Sequence, residues 1–363
     1  MSSIPGRGAK LLANRHKKIL SPGHEKIIIG AIGMVLEAPN NLEVDMYSPA
    51  FPSINTVTAA VPGTCGELVQ GFVDGQDFLV TFPIDLFAKA HASSVLSRGV
   101  MLRQNSQYEK VARTLEQIST IQSGQVGVDI SIESALPREK GFASSSAEMA
   151  AAAHAYSLIM GNAILPAQLD LILTSIEPTD GVYYPGICST DFIRGGLIRR
   201  YGAPPPIGVI IVDTGGRIAT HGVDRAAMRN NCSAFRAQFQ EALSALNDGF
   251  LTQDPRLIGR AATLSAEINQ HVYAKPFFSK LTRLIGTDGI VGINCAHSGT
   301  LLGVMFDEST ACPDYIEAKV IDIVGSRHIF GIHRMIGGGV RYELSAANDV
   351  TGRTHPRQRV CYA

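Results

Sequence analysis

The 363-residue sequence has no tryptophan, no excess of either charge and no apolar segment long enough to span a membrane. Its 32 Lys and Arg residues balance 32 Asp and Glu residues, so no overall field would draw the chain to nucleic acid or to an anionic membrane surface. The longest apolar run, residues 27–36, has about half the length of a bilayer-crossing helix. We therefore expect no nucleic-acid partner and no membrane partner.

Several familiar catalytic signatures are also missing. The six cysteines are widely spaced, without a C-x-x-C pair that could begin a zinc or redox site, and this spacing favours a reduced, cytoplasmic setting. The motifs G-x-x-x-x-G-K-[ST], G-x-G-x-x-G, H-E-x-x-H and G-x-S-x-G do not occur. The sequence therefore lacks the signatures of P-loop ATPases, Rossmann dehydrogenases, zincins and α/β-hydrolases.

The composition is that of a folded protein with more than one domain. Apolar residues make up 45% of the chain and charged residues 18%, and the length suits about two domains. A basic leader and scattered prolines set residues 1–55 apart as an extension, and residues 346–363 form a polar tail. The proline run at 204–206 predicts a boundary between a first domain, 56–205, and a second, 206–345.

Both predicted domains mix strands and helices, which indicates an α+β fold. In the first, β-branched and aromatic runs predict strands at residues 56–61, 72–82 and 126–132, and an alanine-rich run and its successor predict helices at 145–160 and 168–176. In the second, the same criteria predict strands at 207–212, 290–295 and 301–306 and helices at 225–247, 255–269 and 275–285.

The strongest functional pattern is a loop of small residues that leads into the alanine-rich helix. A helix start leaves about four N–H groups unbonded and carries partial positive charge, so it attracts phosphate. Lys140 would add a point charge, and serine hydroxyls suit a phosphate oxygen or Mg²⁺. The alternative is that these serines are ordinary helix caps. The candidate nucleotide-binding residues are Pro137, Arg138, Glu139, Lys140, Gly141, Phe142, Ala143, Ser144, Ser145 and Ser146.

Two carboxylates surround the predicted end of the following helix. Glu177 and Asp180 lie three residues apart, and such a pair suits phosphoryl transfer: one acid holds Mg²⁺ while the other accepts the proton of an attacking hydroxyl. A solvated turn is the alternative reading. Two further bends between apolar strands supply Glu67, His297 and Ser298 as candidate substrate contacts, although the glycines beside them could simply serve turns.

Taken together, these segments resemble the GHMP kinase superfamily. Its first motif is similar to residues 61–71, its phosphate loop to residues 137–145 and its third motif to residues 296–303. Within the superfamily the similarity is closer to the L-threonine kinase branch, and it runs from about residue 56 to 344. The phrases that carry it are Cys-Gly-Glu-Leu at 65–68, Lys-Gly-Phe-Ala-Ser-Ser at 140–145, Glu-Pro-Thr-Asp at 177–180, Ala-Ala-Thr-Leu-Ser-Ala at 261–266 and Ala-His-Ser-Gly at 296–299.

The resemblance implies a fold, an activity and a set of roles. The fold would be a half like domain 2 of ribosomal protein S5 followed by a ferredoxin-like half. ATP and Mg²⁺ would be the cofactors, and L-threonine, for cobalamin synthesis, the phosphate acceptor. Lys140 and the loop would wrap the triphosphate, Ser145 would bind Mg²⁺, and Asp180 would be the catalytic acid. Glu177 would bind Mg²⁺, the substrate ammonium or a structural neighbour.

Departures from the superfamily pattern limit how far the resemblance extends. Thr64 stands where many members carry Lys, Phe142-Ala143 replaces Leu-Gly, and Ser298-Gly299-Thr300 replaces Gly-Ala-Gly. These changes weaken the transfer of sugar-kinase detail and agree with the L-threonine kinase branch. A kinase for homoserine or serine and a silent ligand-binding regulator remain alternatives.

Overall fold

The computed structural model describes residues 25–29, 34–38, 54–103, 105–122, 126–216, 225–346 and 358–361. The chain divides into two units, Met1–Pro49 and Ala50–Ala363. In the first unit, β1 (Glu25–Ile29) and β2 (Met34–Ala38) form an antiparallel pair. Most of the predicted extension and residues 347–357 of the predicted tail lie outside the described residues.

The second unit alternates strands and helices along the chain. Its first half contains β3 (Ile54–Val73), β4 (Gln76–Val95), β5 (Val100–Leu102), α1 (Glu109–Ile121), β6 (Gly127–Ser134), α2 (Ser144–Ile159), α3 (Pro166–Ile176), β7 (Ile187–Thr190) and β8 (Leu197–Gly202). Its second half contains β9 (Ile207–Asp213), α4 (Arg225–Ala234), α5 (Arg236–Thr252), α6 (Pro255–Asn269), α7 (Phe278–Leu281), β10 (Ile290–Cys295), β11 (Leu301–Asp307), α8 (Pro313–Val324), β12 (Ile329–Arg334), β13 (Arg341–Ala346) and β14 (Gln358–Cys361).

One curled sheet connects these strands. Its main path runs β12-β9-β11-β10-β3-β4-β6-β5, with β13 paired to β3 and β14, and β7 paired to β4 and β8. Strand β3 meets β10 only where Glu67 lies opposite Cys295, beside a series of register shifts in β3. Gly66 has a φ of 59° there, and a Cβ on it would lie 2.6 Å from the amide nitrogen of Ala296. This close approach fixes the position of Glu67 next to the loop after β10.

Helix α2 is the central helix of the second unit. Fourteen of its sixteen residues are buried, and it packs against β3, β4, β6 and α1. A helix buried on all sides must be small or apolar all round, and the alanine run meets that requirement with a high helix propensity. The start of α2 is therefore held rigidly between the sheet and the neighbouring helices.

Most predicted elements are present, and a few predictions were wrong. Helix α2, helix α3, α6, β9, β10 and β11 match within one or two residues. The predicted strand 72–82 instead contains the β3–β4 turn, because Asp74 and Gly75 both adopt positive φ. The predicted helix 225–247 is divided between α4 and α5, and 275–285 contains only α7 and a short 3₁₀ turn. Helices α1 and α8 were not predicted.

Among the described residues, no helix is both long and apolar enough to cross a membrane. The domain boundary at the proline run remains a prediction.

Candidate functional site

The phosphate loop, residues 137–146, has an unusual backbone. Glu139, Gly141 and Ala143 have φ values of 61°, 106° and 54°, so every second residue is left-handed. Alternation of right- and left-handed residues turns successive N–H groups towards one side, which is the geometry of an anion-binding nest. Left-handed conformations at Glu139 and Ala143 are strained for residues with a Cβ, and such strain is common at ligand sites.

The carbonyl groups of this loop are bound on its outer side. Lys140 O accepts from the amide of Thr300 at 2.7 Å, Gly141 O from Gly66 at 3.0 Å and Phe142 O from Thr64 at 3.0 Å. The first and third motifs thus hold the phosphate loop between them. Among the residues that the structure describes, none accepts a hydrogen bond from the amides of Lys140, Gly141 and Phe142, so these amides are available for a ligand.

Helix α2 begins at Ser144 without a side-chain cap. Its preceding residue, Ala143, has no side chain that could accept from the first-turn amides. Ser144 and Ser146 are buried, and Ser145 is half-buried. The reading of these serines as ordinary caps is therefore wrong for this helix: the first turn keeps the unbonded amides and partial positive charge that favour a phosphate.

Glu177 is held at the start of α2 by two groups. Ser145 Oγ donates to Glu177 Oε1 in a short hydrogen bond, and Lys110 Nζ on α1 lies 2.5 Å from Glu177 Oε2. The side chain of Glu177 is 12% exposed and that of Lys110 is 50% exposed. The pair therefore lies at the edge of the site, with one lysine offsetting the charge of Glu177.

Asp180 lies beside the same helix start. Ser146 Oγ accepts from the Asp180 amide at 3.1 Å and from Thr179 Oγ1 at 2.8 Å, which fixes this turn against α2. Withdrawal from water, followed by the negative charges of Glu67 and Glu177, raises the pKa of Asp180 to about 7. We call Glu67, Glu177 and Asp180 the carboxylate cluster.

Glu67 forms a buried pair with His297. Glu67 Oε2 accepts from the His297 amide at 2.8 Å and lies 3.1 Å from His297 Nδ1. Ser265 Oγ on α6 lies 3.2 Å from His297 Nε2, so both ring nitrogens are engaged. Ser298, the next residue, is half-buried at the same bend. The structure thus brings Glu67 and His297 together and places Ser298 beside them.

Lys140 has partners away from the carboxylate cluster. Its Nζ lies 2.8 Å from Asp213 Oδ2 at the end of β9 and 2.7 Å from Gly216 O. Burial pushes the pKa of Asp213 upwards, but hydrogen bonds from Lys140, Thr300 and the Gly215 amide outweigh this effect and lower it. A triphosphate at Lys140 would therefore compete with the Asp213 carboxylate for the positive charge.

The remaining loop residues differ in what their side chains do. Arg138 donates to Glu148 Oε2 at 2.9 Å and to Gln107 O at 2.7 Å, and its guanidinium lies over the Tyr108 ring. Phe142 is 1% exposed and packs against Phe330. Pro137 comes directly before Arg138, and Glu139 lies between Arg138 and Phe142. The side chains of Arg138 and Phe142 thus anchor the loop.

The candidate metal ligands are of the oxygen type that Mg²⁺ prefers, but they are too few to fill its coordination shell. Mg²⁺ prefers oxygen ligands and is commonly held by one or two protein groups plus substrate phosphates and water. Ser145 and Glu177 supply a hydroxyl and a carboxylate oxygen at the loop. Among the residues that the structure describes, no group of three or more His, Cys, Asp or Glu could hold a metal ion. A bound nucleotide would therefore have to complete the shell.

The sequence reasoning missed Lys110 and Ser265. Lys110 is 67 residues from Glu177, and Ser265 is 32 residues from His297. Helix α1 was not predicted, so no pattern could have placed Lys110 near the loop. Ser265 lies within the Ala-Ala-Thr-Leu-Ser-Ala phrase at 261–266. This phrase contributes to the resemblance to L-threonine kinases, but the resemblance assigned no role to Ser265.

Comparison with known proteins shows which fold the chain has and which family it resembles. Residues 107–182, which span α1, the phosphate loop, α2 and Asp180, match the model of the GHMP kinases N terminal domain. The structure of homoserine kinase from Cytophaga hutchinsonii superimposes with a TM-score of 0.59 at 15% identity, covering 82% of this chain and 100% of that one. The chain has the GHMP kinase fold, and the predicted mixed α and β architecture and family resemblance are confirmed.

Two curated relatives are similar to this chain over about four fifths of its length. The L-threonine kinase of Salmonella typhimurium is 29% identical over 299 residues, covering 80% of this chain and 96% of the relative. The L-threonine kinase of Citrobacter freundii is 28% identical over 295 residues, covering 78% and 99%. The similarity therefore extends well beyond the N-terminal domain, to nearly the whole length of both relatives.

Proposed function

We propose that the protein is an L-threonine kinase that transfers the γ-phosphoryl group of ATP to the side-chain hydroxyl of L-threonine. The products are O-phospho-L-threonine and ADP, and the product would supply cobalamin synthesis in the cytoplasm. The similarity to two L-threonine kinases over about four fifths of the chain supports the acceptor. The matched GHMP kinase domain supports ATP as the phosphoryl donor.

The observation that carries the proposal is the start of α2. Three outward-bound carbonyls and an uncapped first turn leave backbone amides for a phosphate chain, and Asp180 is hydrogen-bonded to the same turn through Ser146. Phosphoryl transfer needs mainly positioning and stabilisation of charge on the transferred oxygens. The start of α2 offers groups for both requirements.

Asp180 is suited to accept the proton of the threonine hydroxyl. A general base works best when its pKa lies near the working pH, and the pKa of Asp180 is about 7. Glu67 and His297 line the acceptor side of the cluster, with Ser298 beside them, and Lys140 is available to a phosphate once it leaves Asp213. Ser145 and Glu177 would hold Mg²⁺, which neutralises charge on the phosphates when bound.

Identification of the product tests the proposal directly. The purified protein is incubated with ATP, Mg²⁺ and an equimolar pool of L-threonine, L-serine and L-homoserine, and the products are identified by mass spectrometry. We expect O-phospho-L-threonine as the main product. Preferential phosphorylation of serine or homoserine would contradict the acceptor, and nucleotide binding without any turnover would contradict the enzymatic function.

A further inference from the structure

The charge of Glu177 is balanced by a lysine from a distant segment. Lys110 Nζ, near the start of α1, lies 2.5 Å from Glu177 Oε2, and Ser145 Oγ donates to the other carboxylate oxygen, Glu177 Oε1. Both oxygens of Glu177 therefore have a donor within the chain. Ser145 and Glu177 are also the two candidate Mg²⁺ ligands, so the Lys110 ammonium binds the same carboxylate that a metal ion would need.

Lys110 is the member of this group that can move. Its side chain is 50% exposed, whereas that of Glu177 is 12% exposed and is bound on its other side by Ser145. Mg²⁺ takes carboxylate oxygens as ligands and carries two positive charges. An ammonium on the same carboxylate would be repelled by such an ion, because like charges at contact distance oppose each other strongly. A divalent cation at Glu177 therefore favours the departure of Lys110.

The backbone that carries Lys110 is anchored beside the phosphate loop. Arg138 in that loop donates to Gln107 O at 2.7 Å, and its guanidinium lies 4.6 Å from the centre of the Tyr108 ring. Tyr108 is buried, so this contact fixes the start of α1. Lysine carries its charge on a flexible four-carbon side chain. When Lys110 leaves Glu177, its ammonium therefore stays near the loop.

Glu148 is another acid that the charge of Lys110 reaches. Burial raises the pKa of Glu148, and the charge of Arg138 and, more weakly, that of Lys110 oppose this effect. Arg138 Nη2 already donates to Glu148 Oε2 at 2.9 Å, and Glu148 is buried. A phosphate chain at the loop would be more accessible to a released Lys110 than this acid, which already has a cation.

We propose that Lys110 is a counter-ion that stands in for the metal: it binds Glu177 when no divalent cation is present, and it exchanges Glu177 for the phosphate chain when a metal–nucleotide complex binds. This inference rests on the proposed function, which supplies ATP and Mg²⁺, and deepens it by making metal binding and nucleotide binding depend on each other. No covalent bond changes: one ammonium changes its anionic partner.

Metal binding without nucleotide tests the first half of the exchange. Lys110→Met removes the charge at similar length, and Lys110→Arg keeps it. Electron paramagnetic resonance measures free Mn²⁺ during titration of each protein. We expect Lys110→Met to bind Mn²⁺ about 10-fold more tightly than the natural protein, because no ammonium competes for Glu177. Lys110→Arg should bind Mn²⁺ no more tightly than the natural protein.

Nucleotide binding tests the second half of the exchange. Calorimetry measures the affinity for the non-hydrolysable ATP analogue AMP-PNP, once with Mg²⁺ and once with EDTA. With Mg²⁺, Lys110→Met should weaken binding about 10-fold, because the phosphate chain loses a charge-assisted hydrogen bond. With EDTA the same variant should change the affinity much less, because Lys110 then stays with Glu177 in the natural protein.

Lys319→Met is the matched control. Lys319 on α8 forms the same kind of pair, with Asp288, and its ammonium lies over the Tyr315 ring. Neither partner belongs to the phosphate loop or to the carboxylate cluster, so this variant should leave both affinities unchanged. Thermal melting of each variant shows whether it folds.

The outcomes separate this inference from the function on which it rests. Equal Mn²⁺ affinity of Lys110→Met and the natural protein would overturn the exchange, and so would tighter Mn²⁺ binding by Lys110→Arg, because the charge would then not be the cause. An AMP-PNP affinity that Lys110→Met leaves unchanged with Mg²⁺, or weakens equally with Mg²⁺ and with EDTA, would also overturn it. Neither measurement needs turnover. If both give the expected result and L-threonine is not phosphorylated, the inference stands and the proposed function fails.

Discussion

The phosphate loop and the carboxylate cluster meet at one helix start but are built from different parts of the chain. In the loop the backbone is the functional group, and side chains such as Phe142 and Arg138 serve as anchors. In the cluster the backbone serves as support, and three carboxylates from two separate segments carry the charge. The two regions should therefore respond to different substitutions: the loop to changes in φ and space, and the cluster to changes in charge.

Removal of the charge at the centre of the cluster should have the largest effect. We expect Asp180→Asn to lower kcat by roughly 100-fold or more, the scale of general-base catalysis, because the hydroxyl loses its proton acceptor. ATP affinity, measured by calorimetry, should remain within a few-fold, since the loop amides are untouched. Near-normal turnover in this variant would show that another group accepts the proton.

A single methyl group in the loop should have the next largest effect. Gly141 has a φ of 106°, and a Cβ there would lie 2.3 Å from Ala296 Cβ. Gly141→Ala should raise the KM of ATP and lower the free energy of unfolding by about 1–3 kcal/mol. Alanine is strained at this positive φ, and its Cβ would collide with Ala296, so the loop would have to shift.

Gly75→Ala is the control for that change. Gly75 has a φ of 85° in the β3–β4 turn, and a Cβ there meets nothing within 4 Å. This variant should lose stability through backbone strain alone and keep the KM of ATP, as urea denaturation and steady-state kinetics would show. If both variants raised the KM of ATP equally, the loop would have no special role.

A smaller effect is expected in the pH dependence. The charges of Glu67 and Glu177 help to raise the pKa of Asp180, so removal of one of them should lower it. In Glu67→Gln the acid limb of the kcat/KM profile for L-threonine, near pH 7 in the natural protein, should move to lower pH. Glu133→Gln, on the exposed end of β6, should leave the limb in place. An acid limb that stays fixed in Glu67→Gln would show that the charge of Glu67 does not raise the pKa of the group that produces this limb.

The last expected effect concerns stability and not turnover. The pKa of Asp180 is about 7 in the folded chain, against 3.8 for a free side chain, so the folded state binds more protons between these values and stability falls as pH rises through this range. Asp180→Asn should therefore be more stable than the natural protein at pH 8, with a gain that shrinks towards pH 4. Urea denaturation at both pH values measures this, and an equal gain at the two would contradict it.

The loop could be predicted from the sequence because its signals are local. An alanine-rich run predicts α2, and small residues before it predict close approach to a ligand. The outward carbonyls could not be predicted, since their partners Thr64, Gly66 and Thr300 come from distant segments.

The arrangement of the cluster depended more on the tertiary fold. Glu177 and Asp180 share a local phrase, but the Lys110 contact depends on the packing of α1, and the Asp213 contact of Lys140 depends on the end of β9. The turn at Asp74 and Gly75 was missed because apolar and aromatic residues lie on both sides of it, in Phe72-Val73 and in Phe78-Leu79-Val80.

The three carbonyl contacts of residues 140–142 also have a consequence for synthesis. Their donors lie at residues 64–66 and at residue 300, so the loop cannot be fixed until more than 150 residues beyond it have been translated. During translation, a nascent chain that ends before β11 has helix α2 but lacks the Thr300 contact that holds Lys140. ATP capture by ribosome-bound chains of increasing length should therefore begin only after that strand has emerged, late in translation.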